Sequence, residues 1–278
     1  VYVQMTIGGG VVRETATNRG ITNAAALAWQ RAATQKLSST DIRDLLTGKK
    51  VSVSGGAAGD HLAMSVSGSP DDLEAGLQLA HLLLTEPKIE QAALEQWKDL
   101  MAQQIEQRRT SVEQQMAAGV TRLLSGADVR LEPLSMEQVD AVELAAAQEW
   151  LERIIASGPV EVAIVGDMPR ERMKELALTY LGSLPTRPGD DPELDELRQI
   201  EQNEGPLTDT VEVETITPRA VVRLGWRGAW WTEVVERRTL SIASQILQTR
   251  LRKAIREDRG LTYSIFSFSR PGQEWNNM

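Results

Sequence analysis

The chain has 278 residues, of which 41% are hydrophobic and 25% are charged, and its net charge at pH 7 is −9. This length can bury one large core or two ordinary ones, and the acidic balance argues against nucleic acid as a partner, because phosphate binding needs a basic surface. Cysteine is absent, which excludes disulfides, thiolate metal sites and cysteine nucleophiles. No apolar run approaches the 18 residues of a membrane span, and the composition does not identify a compartment.

The first two-thirds of the chain predict a sheet with several helices. Alternating apolar and polar residues predict strands, and apolar residues at helical spacing predict helices. The predicted strands lie at 1–7, 51–54, 61–67 and 160–165. The predicted helices lie at about 18–37, 40–46, 69–84, 88–124, 135–156 and 169–180.

A linker follows, and then part of the same pattern returns. Residues 185–206 contain prolines, glycines and seven acidic residues, a composition that cannot form a core of its own. Beyond it, strands are predicted at 210–216, 220–226 and 261–268, around a helix at about 232–257. We therefore predict an α+β protein of two related modules, each an antiparallel-rich sheet packed by helices on one face. The first module is 1–184, the linker is 185–208, and the second module, 209–278, is truncated.

Arg256 and Tyr263 are the best candidates for chemistry. A charged helix end runs into Gly260 and then into a β-like segment, so the two side chains can converge from a helix end and a neighbouring strand. Donors held in this way can grip a peptide carbonyl or stabilise a developing oxyanion. The structural alternative is that Arg256 is favoured by the helix dipole and Tyr263 is an ordinary strand aromatic.

Several motifs, taken together in their order and spacing, resemble those of pitrilysin/insulinase-type zinc metallopeptidases. They are a Gly-x-x-x-Glu spacing before a helix, Ser-Pro-Asp-Asp-Leu at 69–73, Val-Ala-Ile-Val-Gly-Asp at 162–167, Tyr-Leu-Gly-Ser-Leu-Pro at 180–185, and Leu-Arg-Lys-Ala-Ile-Arg at 251–256 followed by Gly-Leu-Thr-Tyr-Ser at 260–264. The resemblance covers nearly the whole chain. It implies that a protein of this family is built from halves, each of which consists of two related modules joined by a linker.

The resemblance also implies where a zinc site belongs, and that site is degenerate in this sequence. The family motif is His-x-x-Glu-His on a helix, with a further glutamate ligand later in the chain. Asn23 and Leu27 stand at the histidine positions, Ala26 at the glutamate, and Gln104 at the further ligand. None of these side chains is a workable zinc ligand or base. We therefore expect no metal or other cofactor in this chain and no activity from it alone.

The resemblance implies a non-catalytic, C-terminal-type half. Such a half completes a proteolytic chamber, binds the peptide substrate, and supplies Arg256 and Tyr263 in trans to a zinc-bearing half in the same polypeptide or in a separate chain. Two alternatives remain open: a catalytically dead scaffold subunit similar to core proteins of respiratory complexes, and a peptide-binding module without a catalytic partner. Nucleic acid and a membrane span are not expected, and both a cytoplasmic and a periplasmic location remain open.

Overall fold

The computed structural model describes residues 1–226, 228–272 and 275, and a four-stranded sheet lies at its centre. The strands are β1 (Tyr2–Gly8), β2 (Val51–Ala57), β3 (His61–Gly68) and β4 (Val160–Val165). Their order is β2-β3-β1-β4, and every neighbouring pair is antiparallel. The predicted α+β class with an antiparallel sheet is confirmed, and the four strands predicted for the first module are present.

The alternation of side chains in β1 and β3 gives the sheet one buried face. Val3, Met5 and Ile7 are each about 1% exposed, whereas the residues between them are only half-buried. In the antiparallel register these residues lie directly opposite apolar residues of β3, as the pairs Val3–Val66, Met5–Met64 and Ile7–Leu62. Directly opposed side chains are the closest neighbours on a sheet face, so this face is continuously apolar and the helices pack on it.

The helices of the first module pack against the apolar face of the sheet. In the first module they are α1 (Ile21–Ala25), α2 (Leu27–Gln30), α3 (Ser39–Leu46), α4 (Leu73–Thr85), α5 (Gln91–Thr110), α6 (Val112–Leu124), α7 (Met136–Ala141), α8 (Leu144–Ser157) and α9 (Arg170–Tyr180). In the described part of the chain, none of the helices is both long and apolar enough to cross a membrane.

Two of the long predicted helices are each divided in the structure. The 88–124 run breaks at Ser111, whose backbone is extended and whose hydroxyl accepts the N–H of Gln114 at 3.3 Å. The 135–156 run breaks at Val142 and Glu143, which are both extended. Serine competes with helical hydrogen bonds through its side chain and is favoured as a cap, which explains the first break. The predicted 18–37 helix is also shorter, because Arg31 leaves the helical region after α2.

The acidic linker is docked on the first module. Within it lies the short helix α10 (Pro192–Leu197), whose Leu194 is buried together with Ile200. These two side chains belong to a small second core with Val12 and Trp275. The linker therefore lies against the first module through a few apolar anchors, although most of its residues are polar.

Arg130 joins the parts of this second core. Its Nη1 donates to the carbonyl oxygens of Val12 at 3.1 Å and of Leu197 at 2.5 Å, so one guanidinium links the first module to the linker helix. The guanidinium carbon also lies 4.9 Å from the centre of the Trp275 ring, a distance that suits a cation–π contact. The Asp128 carboxylate accepts hydrogen bonds from the Arg130 guanidinium and neutralises its positive charge.

The Asp128–Arg130 pair predicts an acid-sensitive contribution to stability. Burial raises the pKa of the Asp128 carboxyl, but hydrogen bonds from the Arg130 side chain and backbone N–H outweigh burial and hold that pKa below its usual value. A carboxyl with a lowered pKa stabilises the fold at neutral pH, and this contribution disappears as the pH falls through 3.8 towards the lowered pKa. Asp128→Asn should therefore be less stable at neutral pH and lose less stability than the parent between about pH 5 and about pH 3, measured by urea unfolding. An equal loss in both proteins contradicts this expectation.

The second module differs from the sequence prediction. Its helix is present as α11 (Val234–Leu251), which continues into a π-helical segment, Arg252–Glu257. The predicted strands at 210–216, 220–226 and 261–268 are wrong for the part of the chain that the structure describes, where these residues form no strand. A strand is stable only when its N–H and C=O groups pair with a neighbour, and no described neighbour pairs with these segments. Accordingly, α11 has no buried residue.

Candidate functional site

The candidate site begins at the end of the second-module helix. The π-helical segment ends when Gly260 turns the chain with φ +62°, a left-handed conformation that favours glycine. The N–H of Gly260 donates to the carbonyl of Arg256 at 3.1 Å, and the N–H of Leu261 donates to the carbonyl of Ile255 at 3.1 Å. These bonds use carbonyls that a helix end otherwise leaves unpaired, so the position of Arg256 relative to the following segment is well defined.

The structure brings Arg256 and Tyr263 together. The segment after Gly260 returns along the helix, and the N–H of Ser267 donates to Oε1 of Gln248 at 3.0 Å. Between these two points the guanidinium carbon of Arg256 lies 4.8 Å from the centre of the Tyr263 ring. Tyr263 is 82% exposed, and Arg256 is exposed as well. The two side chains meet across the glycine turn, but Tyr263 lies in an irregular segment and not on the predicted strand.

The four positions predicted for a degenerate zinc site fall into two environments. At the junction of α1 and α2, Ala26 is fully buried, and Leu27 is 4% exposed and belongs to the main core. Asn23 is half-buried on α1, and Gln104 is exposed on α5. Among the residues that the structure describes, no group of three or more His, Asp or Glu is arranged to hold a metal ion.

A buried ion pair holds the start of α1, the helix that carries Asn23. The Glu14 carboxylate accepts the backbone N–H groups of Gly20 at 3.0 Å and Thr22 at 2.9 Å, and it pairs with Arg19. The Arg19 guanidinium in turn donates to the carbonyl of Glu132 at 2.9 Å. Glu14 thus takes the place of an N-cap side chain, because Gly20 at the cap position has none. This role of Glu14 was not predicted from the sequence, where its signal is a glycine at the helix start with a glutamate six residues earlier.

Both histidines have local partners. His61 Nδ1 lies 2.7 Å from Oδ1 of Asp60, which Arg198 of the linker also contacts at 2.8 Å. His81 Nδ1 lies 2.8 Å from the carbonyl of Tyr180, between α4 and the end of α9. His81 therefore connects two helices of the first module, whereas His61 shares its partner Asp60 with the linker.

The C-terminal part of the chain matches a known protein family. Residues 141–276, a range that includes Arg256 and Tyr263, match the family described as the peptidase M16 inactive domain. Among curated protein sequences, none matches the chain significantly.

Two solved structures share the fold over nearly the whole chain, and a third shares it over about two-thirds. An M16 inactive-domain protein from Pseudomonas fluorescens is 19% identical, with a TM-score of 0.68 over 97% of this chain and 65% of its own. The periplasmic protease PqqL from Escherichia coli is 20% identical, with a TM-score of 0.68 over 95% of this chain and 29% of its own. Pitrilysin is 12% identical, with a TM-score of 0.52 over 68% of this chain and 21% of its own. The chain therefore spans less than two-thirds of the length of each of these proteins.

The fold is shared with an M16 inactive-domain structure, and the family match lies in the C-terminal part of the chain. Residues 141–276 are a peptidase M16 inactive domain, and the predicted resemblance to the C-terminal-type half of the pitrilysin/insulinase family is confirmed.

Proposed function

We propose that this chain is the substrate-binding, non-catalytic half of a zinc metalloendopeptidase of the pitrilysin/insulinase type. It completes a proteolytic chamber with a zinc-bearing half, which lies in the same native polypeptide or in a separate chain. In that chamber Arg256 and Tyr263 hold the backbone of the peptide substrate. The observation that supports this proposal most directly is the exposed contact between the Arg256 guanidinium and the Tyr263 ring.

The chemistry of this pair suits a carbonyl group. The guanidinium offers five N–H donors in a fixed plane, and the phenol adds one O–H donor. Contact with the aromatic ring restricts the guanidinium without using those donors, and no ion pair or side-chain hydrogen bond of Arg256 is present within residues 1–226, 228–272 and 275. The donors therefore remain available for a carbonyl oxygen that becomes more negative during peptide hydrolysis.

The local backbone supports the same role. Arg256 lies in a π-helical segment of six residues, Arg252–Glu257. Segments of this type are rare and occur frequently at functional sites, because the wider turn changes the direction of the side chains. An arginine placed only to favour the helix dipole needs no such widening.

The metal in this proposal belongs to the partner half. Zinc polarises the scissile carbonyl and activates a water, and the protein ligands for it are histidines and carboxylates. The buried Ala26 and Leu27 offer no such ligand, and this supports a division of labour in which this chain binds the peptide.

The isolated chain provides the first test. After equilibration with zinc and removal of free metal, the purified protein should retain far less than one zinc ion per chain by elemental analysis. It should also cleave no fluorogenic peptide. A zinc-bearing half purified in parallel serves as the positive control for metal retention. Stoichiometric zinc in this chain, or zinc-dependent cleavage by it alone, contradicts the proposal.

Mixing the two halves provides the second test. Peptide cleavage should appear, or increase strongly, when this chain is added to the zinc-bearing half, because each half lacks part of the site. A scaffold subunit or an independent peptide-binding module should leave the cleavage rate unchanged, and that result supports one of those alternatives.

A further inference from the structure

Positive charge is concentrated in one part of this acidic protein. Residues 219–270 contain 11 lysines and arginines but only four acidic residues, whereas the whole chain has a net charge of −9. The remainder of the chain therefore carries a net charge of −16. Such an asymmetry within one chain indicates that the basic part meets a partner of opposite charge.

The charge is densest around the Arg256–Tyr263 pair. Lys253, Arg256 and Arg259 follow one another at intervals of three residues, and all three side chains are exposed. Lys253 and Arg256 lie in the π-helical segment and Arg259 lies in the turn that follows it, so the three cations are close together around the helix end that carries the contact with the tyrosine ring. We call Lys253, Arg256 and Arg259 the basic row.

Nearby acids neutralise the basic row only in part, because Asp258 lies between Arg256 and Arg259 and offsets one of the three positive charges. Glu257 pairs with Arg252, with Nε and Oε1 3.2 Å apart. No ion pair of Lys253, Arg256 or Arg259 occurs among the residues that the structure describes. The negative end of the helix dipole favours cations there. Its equivalent charge is only about half an elementary charge, so it does not balance the three positive charges of the basic row. The basic row therefore retains most of its positive potential.

An apolar surface lies beside the basic row. Both phenylalanines of the chain, Phe266 and Phe268, are at least 70% exposed in the segment that follows Tyr263. Leu261, two residues before Tyr263, is 71% exposed. A ligand that contacts this region therefore finds aromatic side chains for apolar contact and cations for charge complementarity.

We propose that the basic row selects peptide substrates with acidic side chains next to the carbonyl that Arg256 and Tyr263 hold. This inference rests on the proposed function and adds a substrate class to it: extended acidic peptides with apolar residues between the acids. Single-stranded nucleic acid also combines negative charge with rings that stack on aromatic side chains. The net charge of −16 on the rest of the chain disfavours it, because a nucleic acid that extends beyond the basic row meets repulsion.

Binding of labelled peptides to the 278-residue chain tests this selectivity. The probes are three short fluorescent peptides of identical apolar residues, in which the polar positions are all Glu, all Gln or all Lys. By anisotropy, the Glu peptide should bind about tenfold more tightly than the Gln peptide at about 0.05 M salt, and the Lys peptide should bind most weakly. This difference in affinity should largely disappear at about 0.5 M salt, because salt screens the electrostatic attraction between the basic row and the peptide.

A charge-matched pair of variants locates the effect. Lys253→Gln with Arg259→Gln should remove the preference for the Glu peptide while binding of the Gln peptide persists, because Arg256 and Tyr263 are retained. Arg43→Gln with Lys49→Gln, two exposed cations of the first module, changes the net charge equally and should preserve the preference. Preference that survives the first variant overturns the inference, as does tighter binding of a single-stranded oligonucleotide than of the Glu peptide.

The failures of the two proposals are distinguishable. If all three peptides bind equally and Arg256→Ala weakens all of them, the charge selectivity is wrong but the substrate-binding function stands. If no peptide binds at either salt concentration, both proposals are wrong for this chain.

Discussion

Replacing Arg256 with alanine is expected to lower kcat/KM for peptide cleavage about 10²–10³-fold when the chain is assembled with its zinc-bearing half. The substitution removes guanidinium donors that the proposed site directs at the developing oxyanion, and loss of one such donor has this magnitude in other peptidases. Steady-state cleavage of a fluorogenic peptide, with the zinc content of the assembly measured in the same preparation, checks the expectation. Zinc content should not change, because Arg256 is not a metal ligand in the proposal.

Tyr263→Phe refines the same prediction. It removes the phenolic donor but keeps the ring 4.8 Å from the Arg256 guanidinium, so a smaller loss, about tenfold to a hundredfold, is expected mainly in kcat. Arg252→Ala is the matched control, since Arg252 lies in the same π-helical segment but pairs with Glu257. Turnover that stays within about twofold for both Arg256→Ala and Tyr263→Phe argues for a scaffold, where the pair has no chemical task.

Replacing Glu14 with alanine is expected to lower the free energy of unfolding by about 3–5 kcal/mol. The substitution leaves the buried Arg19 without its carboxylate and the N–H groups of Gly20 and Thr22 without an acceptor. Removing one partner of a buried pair is costly because the remaining charge stays in a poorly solvated environment. Urea unfolding followed by circular dichroism measures the effect.

An exposed ion pair of the same module provides the control. Glu106 and Arg109 lie 3.2 Å apart on α5, and more than 70% of each side chain is exposed. Glu106→Ala should therefore change the free energy of unfolding by no more than about 0.5 kcal/mol. Equal effects of Glu14→Ala and Glu106→Ala show that Glu14 has no special role in holding α1.

The first module could be predicted well because its signals are local. The alternation Val3-x-Met5-x-Ile7 faces one side of a strand in any fold, and the same holds for β3. The points where the long helices divide could not be located from periodicity alone. The apolar period continues across Ser111, so the pattern alone does not show that a helix ends there. The role of Ser111 as the N-cap of α6 is seen only in the backbone geometry.

The candidate site was predictable in part. The sequence placed Arg256 and Tyr263 seven residues apart around Gly260, and the turn that this glycine allows brings the side chains into contact. The π-helical widening before the turn left no recognisable pattern. The strand predicted for 261–268 was wrong because alternating residues indicate only a suitable surface, whereas a strand also needs a paired neighbour.

By itself, the sequence determined the family resemblance and the antiparallel module, since these depend on which side chains are present and in what order. Only the tertiary structure decided that Ala26 and Leu27 belong to the core, that Glu14 holds α1 through Arg19, and that Arg130 docks the linker. These features depend on burial and on contacts between residues distant in the chain, because solvent exclusion and hydrogen-bond geometry arise only when the elements pack.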